Sequence, residues 1–212
     1  MDGDDRGTLF VISAPSGTGK STLARRLLES VPGLGFSVSY TTRPRRAGEE
    51  NGREYEFIDD ARFDAMASAG GFLEWARVFD YKYGTGLAAT ETVLASGRSL
   101  LLDIDVQGAE QVRAKGLDAV SVFILPPDYA ALAERLKRRG SEEDQALSLR
   151  LSEARREALE YDRFDYVVVN ADLEEACTEL TAIVRAESRR TARCRGQVKR
   201  ILSTFPAPGT GA

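Results

Sequence analysis

The sequence predicts an α/β fold, a mostly parallel sheet covered by helices on both faces. Three observations lead there. Short apolar runs at 9–12, 100–102, 120–125 and 166–169 alternate with segments whose apolar residues recur at helical spacing. The first run passes through Ala14-Pro15-Ser16-Gly17-Thr18-Gly19-Lys20-Ser21 into Leu23, Leu27, Leu28 and Val31, which share one helical face. Between 36 and 95 the alternation stops, which marks an inserted subdomain.

Taken in order, residues 8–13 form the first strand and 20–31 the first helix, stopped by Pro32-Gly33. Gly35-Phe36-Ser37-Val38-Ser39-Tyr40 alternates enough for one half-exposed strand. Residues 41–58 are polar and turn-rich, 63–69 read as a short helix and 72–78 as a strand. The main alternation resumes with a buried strand at 100–105, a helix at 107–115, and a strand at 120–125 closed by Pro126-Pro127. An arginine-rich helix at 128–139 is broken by Gly140. The charged segment that follows carries one narrow apolar face, Leu147, Leu151, Ala154 and Ala158. The last strand is 166–169, followed by a helix over 173–193. Residues 1–7 and the tail from Thr204 are expected to be disordered.

Composition excludes several function classes. The formal charge of −4 argues against a surface that coats nucleic acid. No apolar stretch reaches the length that spans a bilayer, and the acidic N-terminus does not resemble a signal peptide, so a cytoplasmic protein is expected. Cys177 and Cys194 are isolated on the last predicted helix and lack metal-site spacing. The chain has no histidine, which rules out imidazole acid–base chemistry and histidine metal sites.

The stretch 14–21 follows a strand and opens a helix, the context that makes G-x-x-x-x-G-K-[ST] a phosphate-binding P-loop. Backbone N–H groups at a helix start are free donors that can wrap a triphosphate. Gly17 and Gly19 permit close approach, Lys20 can reach the terminal phosphates, and the Ser21 hydroxyl can ligate Mg²⁺. Ala14 replaces the motif's first glycine and is strained if that position needs positive φ. The plainer reading is a Gly/Ser turn before an ordinary helix, and the flanking elements argue against it. Asp103 ends an apolar strand, where a carboxylate can hold Mg²⁺ opposite Ser21; alone it could equally cap the next helix. Arg43 and Arg46 form one cationic group, and Arg135, Arg139 and Arg150 another. Any one of them alone reads as solvated surface. Together their planar forks suit two phosphate-bearing ligands.

Several runs carry a family resemblance. Ser13 to Thr22 resembles the loop of guanylate kinases. So do Phe36-Ser37-Val38-Ser39, the run Thr41-Thr42-Arg43-Pro44-Arg45-Arg46-Ala47-Gly48-Glu49, and Asn51-Gly52-Arg53-Glu54-Tyr55. Glu74-Trp75-Ala76, Tyr83-Gly84-Thr85 and Leu102-Asp103-Ile104-Asp105-Val106-Gln107-Gly108 complete the set. The similarity covers about residues 8–190. It implies a P-loop NTPase core with an inserted α+β nucleotide-monophosphate-binding region and a helical lid. On that reading the core comprises 8–35, 96–136 and 160–194, the GMP-binding region 36–95, and the lid 137–159.

The resemblance implies transfer of a phosphoryl group from MgATP to GMP or dGMP, within purine nucleotide metabolism. It implies that residues 14–22 hold ATP, with Asn170 near the adenine. Arg43, Arg46, Tyr55 and Tyr83 would bind the GMP phosphate, and Ser39, Glu74 and Thr85 would read guanine. Thr85 stands where serine is common in the family. Asp105 would lie between the two ligand sites, and Asp103 with it would contact substrate. Lys20, Arg43, Arg135, Arg139 and Arg150 would carry the catalysis, and Ser21 with Asp103 the Mg²⁺. ATP and Mg²⁺ are thus the expected cofactors, with no nucleic-acid or membrane partner, and oligomeric state is left open. Two other readings fit the same fold: a kinase acting on a sugar phosphate, and a non-catalytic phosphopeptide-binding module. The guanine-reading set argues against the first, and the retained Lys20, Ser21 and Asp103 against the second.

Overall fold

A computed structural model describes residues 6–139 and 144–206, with the side chains of 139, 144 and 145 excepted. The elements are β1 (Leu9–Ser13), α1 (Lys20–Ser30), β2 (Leu34–Phe36), β3 (Ser39–Thr41), β4 (Tyr55–Phe57) and α2 (Asp60–Ser68). Then come β5 (Phe72–Val78), β6 (Tyr81–Gly86), α3 (Leu87–Ala95), β7 (Ser99–Asp103), α4 (Val106–Ala114) and β8 (Ala119–Leu125). The chain continues through α5 (Tyr129–Arg139), α6 (Asp144–Ala158), β9 (Tyr166–Val169), α7 (Leu173–Glu187) and α8 (Arg195–Leu202).

Two sheets result. The larger has five parallel strands in the order β2-β7-β1-β8-β9. Its central strand reads Leu-Phe-Val-Ile-Ser and is buried throughout, as a strand covered on both faces must be. Phe10 and Ile12 face Leu23, Leu27, Leu180 and Val184, under α1 and α7. Leu9 and Val11 face Leu94, Ala109 and Val112, under α3 and α4. The smaller sheet has the order β4-β3-β6-β5 and is mixed, with β6 antiparallel to both neighbours. Leu73 of β5 belongs to the second core cluster, so the inserted sheet shares packing with the main one.

The structure corrects four sequence expectations. Residues 35–40 are not one strand. Ser37 N still donates to Leu101 O of β7 (3.1 Å), whereas Ser39 already pairs with Tyr55 in the other sheet. The chain stays nearly extended and changes partners, which an alternation pattern cannot register. The helix expected over 173–193 stops at Glu187 and the chain turns back, placing Arg193 Nη1 on Glu187 Oε2 at 2.7 Å. Cys194 therefore caps α8 instead of lying on α7. Arg6 and Gly7 are ordered: Arg6 pairs with Glu91 at 2.7 Å and Gly7 N donates to Leu94 O at 2.8 Å. Thr204 and Phe205 close the turn after α8, with N–H groups on Ile201 O and Leu202 O. The rest of the expectation for the two termini, and the break at Gly140, lie outside the described residues.

Among the described residues no helix is long and apolar enough to cross a membrane. The core makes one sharp contrast. Leu101 has no exposed surface, so Leu101→Ala should lower the unfolding free energy by about 2–5 kcal/mol in urea titrations. Leu149, 62% exposed on α6, should change it by less than about 0.5 kcal/mol when cut to alanine.

Candidate active site

The loop 14–21 joins β1 to α1 at the carboxyl edge of the parallel sheet. Gly17 (φ 88°) and Gly19 (φ 100°) both take the left-handed conformation. A Cβ on Gly17 would sit 2.7 Å from Leu136, and one on Gly19 2.7 Å from Asn170 Nδ2. Ala14 does not have positive φ and packs into the core, so alanine there carries no backbone strain. Gly19 caps α1 without a side-chain bond, which leaves backbone donors at the helix start available to an anion.

The loop is clasped from several sides. Lys20 Nζ pairs with Asp103 Oδ1 at 2.5 Å and donates to Ile104 O at 2.6 Å. Asp103 can reach because β7 pairs with β1 in the register Ile12↔Asp103. Asn170, just past β9, donates from Nδ2 to Thr18 O at 2.7 Å. Arg135 of α5 donates to Thr18 O at 3.2 Å and to Asn170 O at 2.9 Å. Ser21 is exposed beside Lys20 and Thr22 is half-buried. Asp105 is the residue that caps a helix: its Oδ1 accepts from Gly108 N at 2.7 Å at the start of α4. Asp103 spends its charge on Lys20.

Glu157 of α6 reaches the same loop, its Oε2 accepting from Ser16 N at 3.2 Å. Burial, with Asp105 and Glu153 nearby, pushes its carboxyl above the usual carboxylate range, and the Ser16 bond opposes that. Arg150 lies half-buried on α6, two turns before Glu157. α6 rests on α5 through Leu147, Leu151 and Ala154 against Leu132 and Leu136. The side chain of Arg139 lies outside the described residues.

The inserted sheet supplies a second polar cluster. An irregularity between Phe72 and Glu74 sets Glu74 opposite Thr85, whose Oγ1 donates to Glu74 Oε1 at 2.6 Å. Glu74 is 7% exposed and Thr85 1%. Burial drives the Glu74 carboxyl upward; Thr85 opposes this and the Asp105 charge adds to it. Ser39 is half-buried on β3, two residues from Thr41, which pairs with Tyr83.

Arg43 is buried, with Nη2 on Glu49 Oε1 at 2.7 Å and Nη1 on Pro44 O at 2.8 Å. Its guanidinium stands 5.5 Å over the Tyr55 ring. Tyr55 meets Tyr83 edge-on at 5.8 Å. The other Glu49 oxygen accepts from Arg46 N at 2.8 Å. Arg43 and then Arg46 hold the Glu49 carboxyl below the usual range. So Arg43, Arg46, Tyr55 and Tyr83 do gather at one place.

Sequence reasoning missed Glu49 and Glu157 as site residues. Glu49 had a signal in its spacing from the two arginines. Glu157 had none, because its contact joins positions 141 residues apart in the chain.

The model of the guanylate kinase family matches residues 6–187. The chain belongs to the guanylate kinase family. A guanylate kinase of Rhodopseudomonas palustris is 50% identical over 192 residues, 90% of this chain and 88% of that one. One from Legionella pneumophila is 44% identical over 203 residues, 96% and 97% of the two chains. The crystal structure of guanylate kinase from Anaplasma phagocytophilum superposes with a TM-score of 0.71 at 36% identity, over 96% of this chain and 97% of that chain.

Glu74 gives a test of this geometry. A carboxyl whose folded-state pKa is raised costs nothing when protonated in both states, and the cost grows as pH rises through the folded value. Glu74→Gln should therefore stabilise the protein at pH 8, and the gain should vanish as pH falls to about 4. Urea midpoints across that range would show it.

Proposed function

We propose that the protein is a guanylate kinase that moves the γ-phosphoryl group of ATP onto GMP or dGMP, giving ADP and GDP or dGDP. The observation that carries this reading is the buried Glu74–Thr85 pair in the same chain as the P-loop lysine. Guanine presents two adjacent N–H donors on one edge, and the Glu74 carboxylate can accept both. The Thr85 hydroxyl and Ser39 supply the remaining polar partners. Adenine places a ring acceptor where guanine has a donor. Leaving buried polar groups unmatched costs about 1–3 kcal/mol.

The donor residues fit both nucleotides. Residues 14–22 offer backbone N–H groups and the Lys20 ammonium to the ATP phosphates, with Asn170 on the adenine side. Ser21 and Asp103 supply hard oxygen donors, the type that Mg²⁺ takes. Mg²⁺ bound there would neutralise phosphate charge. For the ammonium to meet the terminal phosphates, Lys20 must relax its hold on Asp103. Arg43, Arg46, Tyr55 and Tyr83 would grip the GMP phosphate, with Glu49 fixing the angle of Arg43. Asp105 would lie between the two ligands. Arg135, Arg139 and Arg150 would meet the charge that develops during transfer.

The absent histidine is consistent with this chemistry. A GMP phosphate oxygen attacks the γ-phosphorus while the bond to the bridging oxygen of ADP breaks. That oxygen is already largely ionised near pH 7, because a phosphate monoester has its second pKa near ~6. No base is needed, so positioning and charge neutralisation suffice. On this reading 8–35, 96–136 and 160–194 act as the core, 36–95 as the GMP-binding region, and 137–159 as a lid that excludes water.

A coupled ADP-release assay across GMP, dGMP, AMP and sugar phosphates tests the reading. Turnover with GMP and dGMP alone is expected; a sugar phosphate as the preferred acceptor, or no turnover at all, would sink it. Lys20→Ala should cut kcat by about 10²–10³-fold with GMP binding retained. Glu74→Gln should lower kcat/KM for GMP by roughly 10–100-fold, the rate equivalent of the unmatched-donor cost.

A further inference from the structure

Glu74 sits on β5, the last strand in the order β4-β3-β6-β5. On one side β5 is paired with β6, Glu74 opposite Thr85 and Trp75 opposite Gly84. Among the described residues no strand lies along its other edge. The register with β6 is already interrupted between Phe72 and Glu74. Such a strand is prone to slip, and an irregularity re-aims the side chains next to it. A carboxylate that accepts two adjacent N–H groups must keep its oxygens within about 0.5 Å of the productive place.

Gln111 of α4 holds that outer edge, at the residue after Glu74. Its Oε1 accepts from Trp75 N at 3.0 Å, and its Nε2 donates to Trp75 O at 2.9 Å. One side-chain amide takes both backbone groups of one residue, as a paired strand would. The same helix side meets Glu74 itself. Asp105, Gly108 and Gln111 recur at three-residue steps, which aligns them along α4. A Cβ on Gly108 would stand 3.1 Å from Glu74 Oε2 and 3.3 Å from Asp105 Oδ1. Gly108 does not have positive φ, so glycine there provides space for the two carboxylates. The helix that begins just after Asp103 and Asp105 thus backs β5 at two neighbouring residues, Glu74 and Trp75.

We propose that Gln111 is a positioning residue for the acceptor base, fixing β5 against α4 so that both Glu74 oxygens face the guanine N–H edge. This role rests on the reading of Glu74 as the guanine partner. Gln111 acts through the strand and touches no nucleotide. Its amide suits the task because it carries a donor and an acceptor on one planar group; a carboxylate lacks the donor and an ammonium the acceptor.

The test uses the full-length protein at saturating ATP, with GMP as acceptor and inosine monophosphate as competitor. Hypoxanthine lacks the 2-amino group and offers Glu74 one N–H, so the inhibition constant of the competitor divided by KM for GMP reads carboxylate alignment. Gln111→Met keeps the side-chain length and the helix preference and removes both bonds. It should raise KM for GMP about tenfold, the loss two neutral hydrogen bonds can carry, and change kcat by less than about threefold. The preference for GMP over the competitor should shrink. Gln111→Glu keeps the acceptor, removes the donor, and should move both quantities in the same direction. Calorimetric affinity for ATP should be unchanged in both variants, which a loosened core would not allow. In the Glu74→Gln protein, adding Gln111→Met should change KM by less than about twofold, because no carboxylate remains to be aligned. Unchanged KM and preference in both variants, a parallel loss of ATP affinity, or a Gln111→Met effect that persists in full beside Glu74→Gln would overturn the proposal. Unsubstituted protein that fails to phosphorylate GMP would instead overturn the reading of Glu74 on which it rests.

Discussion

The parallel pairing of β1 with β7 holds the site together. Its register sets Asp103 beside the loop that leaves β1, so that Lys20 finds a carboxylate partner at 2.5 Å. Without that partner a lysine ammonium would stand among backbone donors of the same electrostatic sign. With it, the cation is stored where phosphate must later be received. Glu74 and Glu157 stand near the same region, and burial, with the Asp105 charge added, pushes both carboxyls above the usual carboxylate range. Lys20 and the backbone N–H groups at the start of α1 are the donors that face these acids.

The loop is held from outside as much as by its own conformation. Asn170 and Arg135 both hold Thr18 O, and Leu136 fills the space beside Gly17. Glu157 takes the Ser16 N–H. These groups come from the end of β9, from α5 and from α6, three separate parts of the chain. Movement of α6 would therefore be felt at the loop, and a nucleotide seated there would be felt by α6.

In the inserted sheet, polarity is bought with stability. Burying Glu74 costs free energy, which its bonds to Thr85 offset only in part, as the upward push on its carboxyl shows. Arg43 faces the opposite problem and is solved differently. Its charge is met by Glu49 and by the Tyr55 and Phe57 faces, so its guanidinium is held in one orientation.

The sequence by itself determined the loop, the two glycines with positive φ, the apolar strands and most helices. Each of these is a local pattern: a periodicity, a spacing or a conformation that only certain residues adopt. Tertiary structure alone decided which partner each strand takes. The run 35–40 keeps one alternation yet serves two sheets. It alone decided that Asp103 holds Lys20 while Asp105 caps α4, since two carboxylates two residues apart look alike in a string. The contact of Glu157 with Ser16 belongs to the same class: it joins segments far apart in the chain, and packing, not propensity, brings them together.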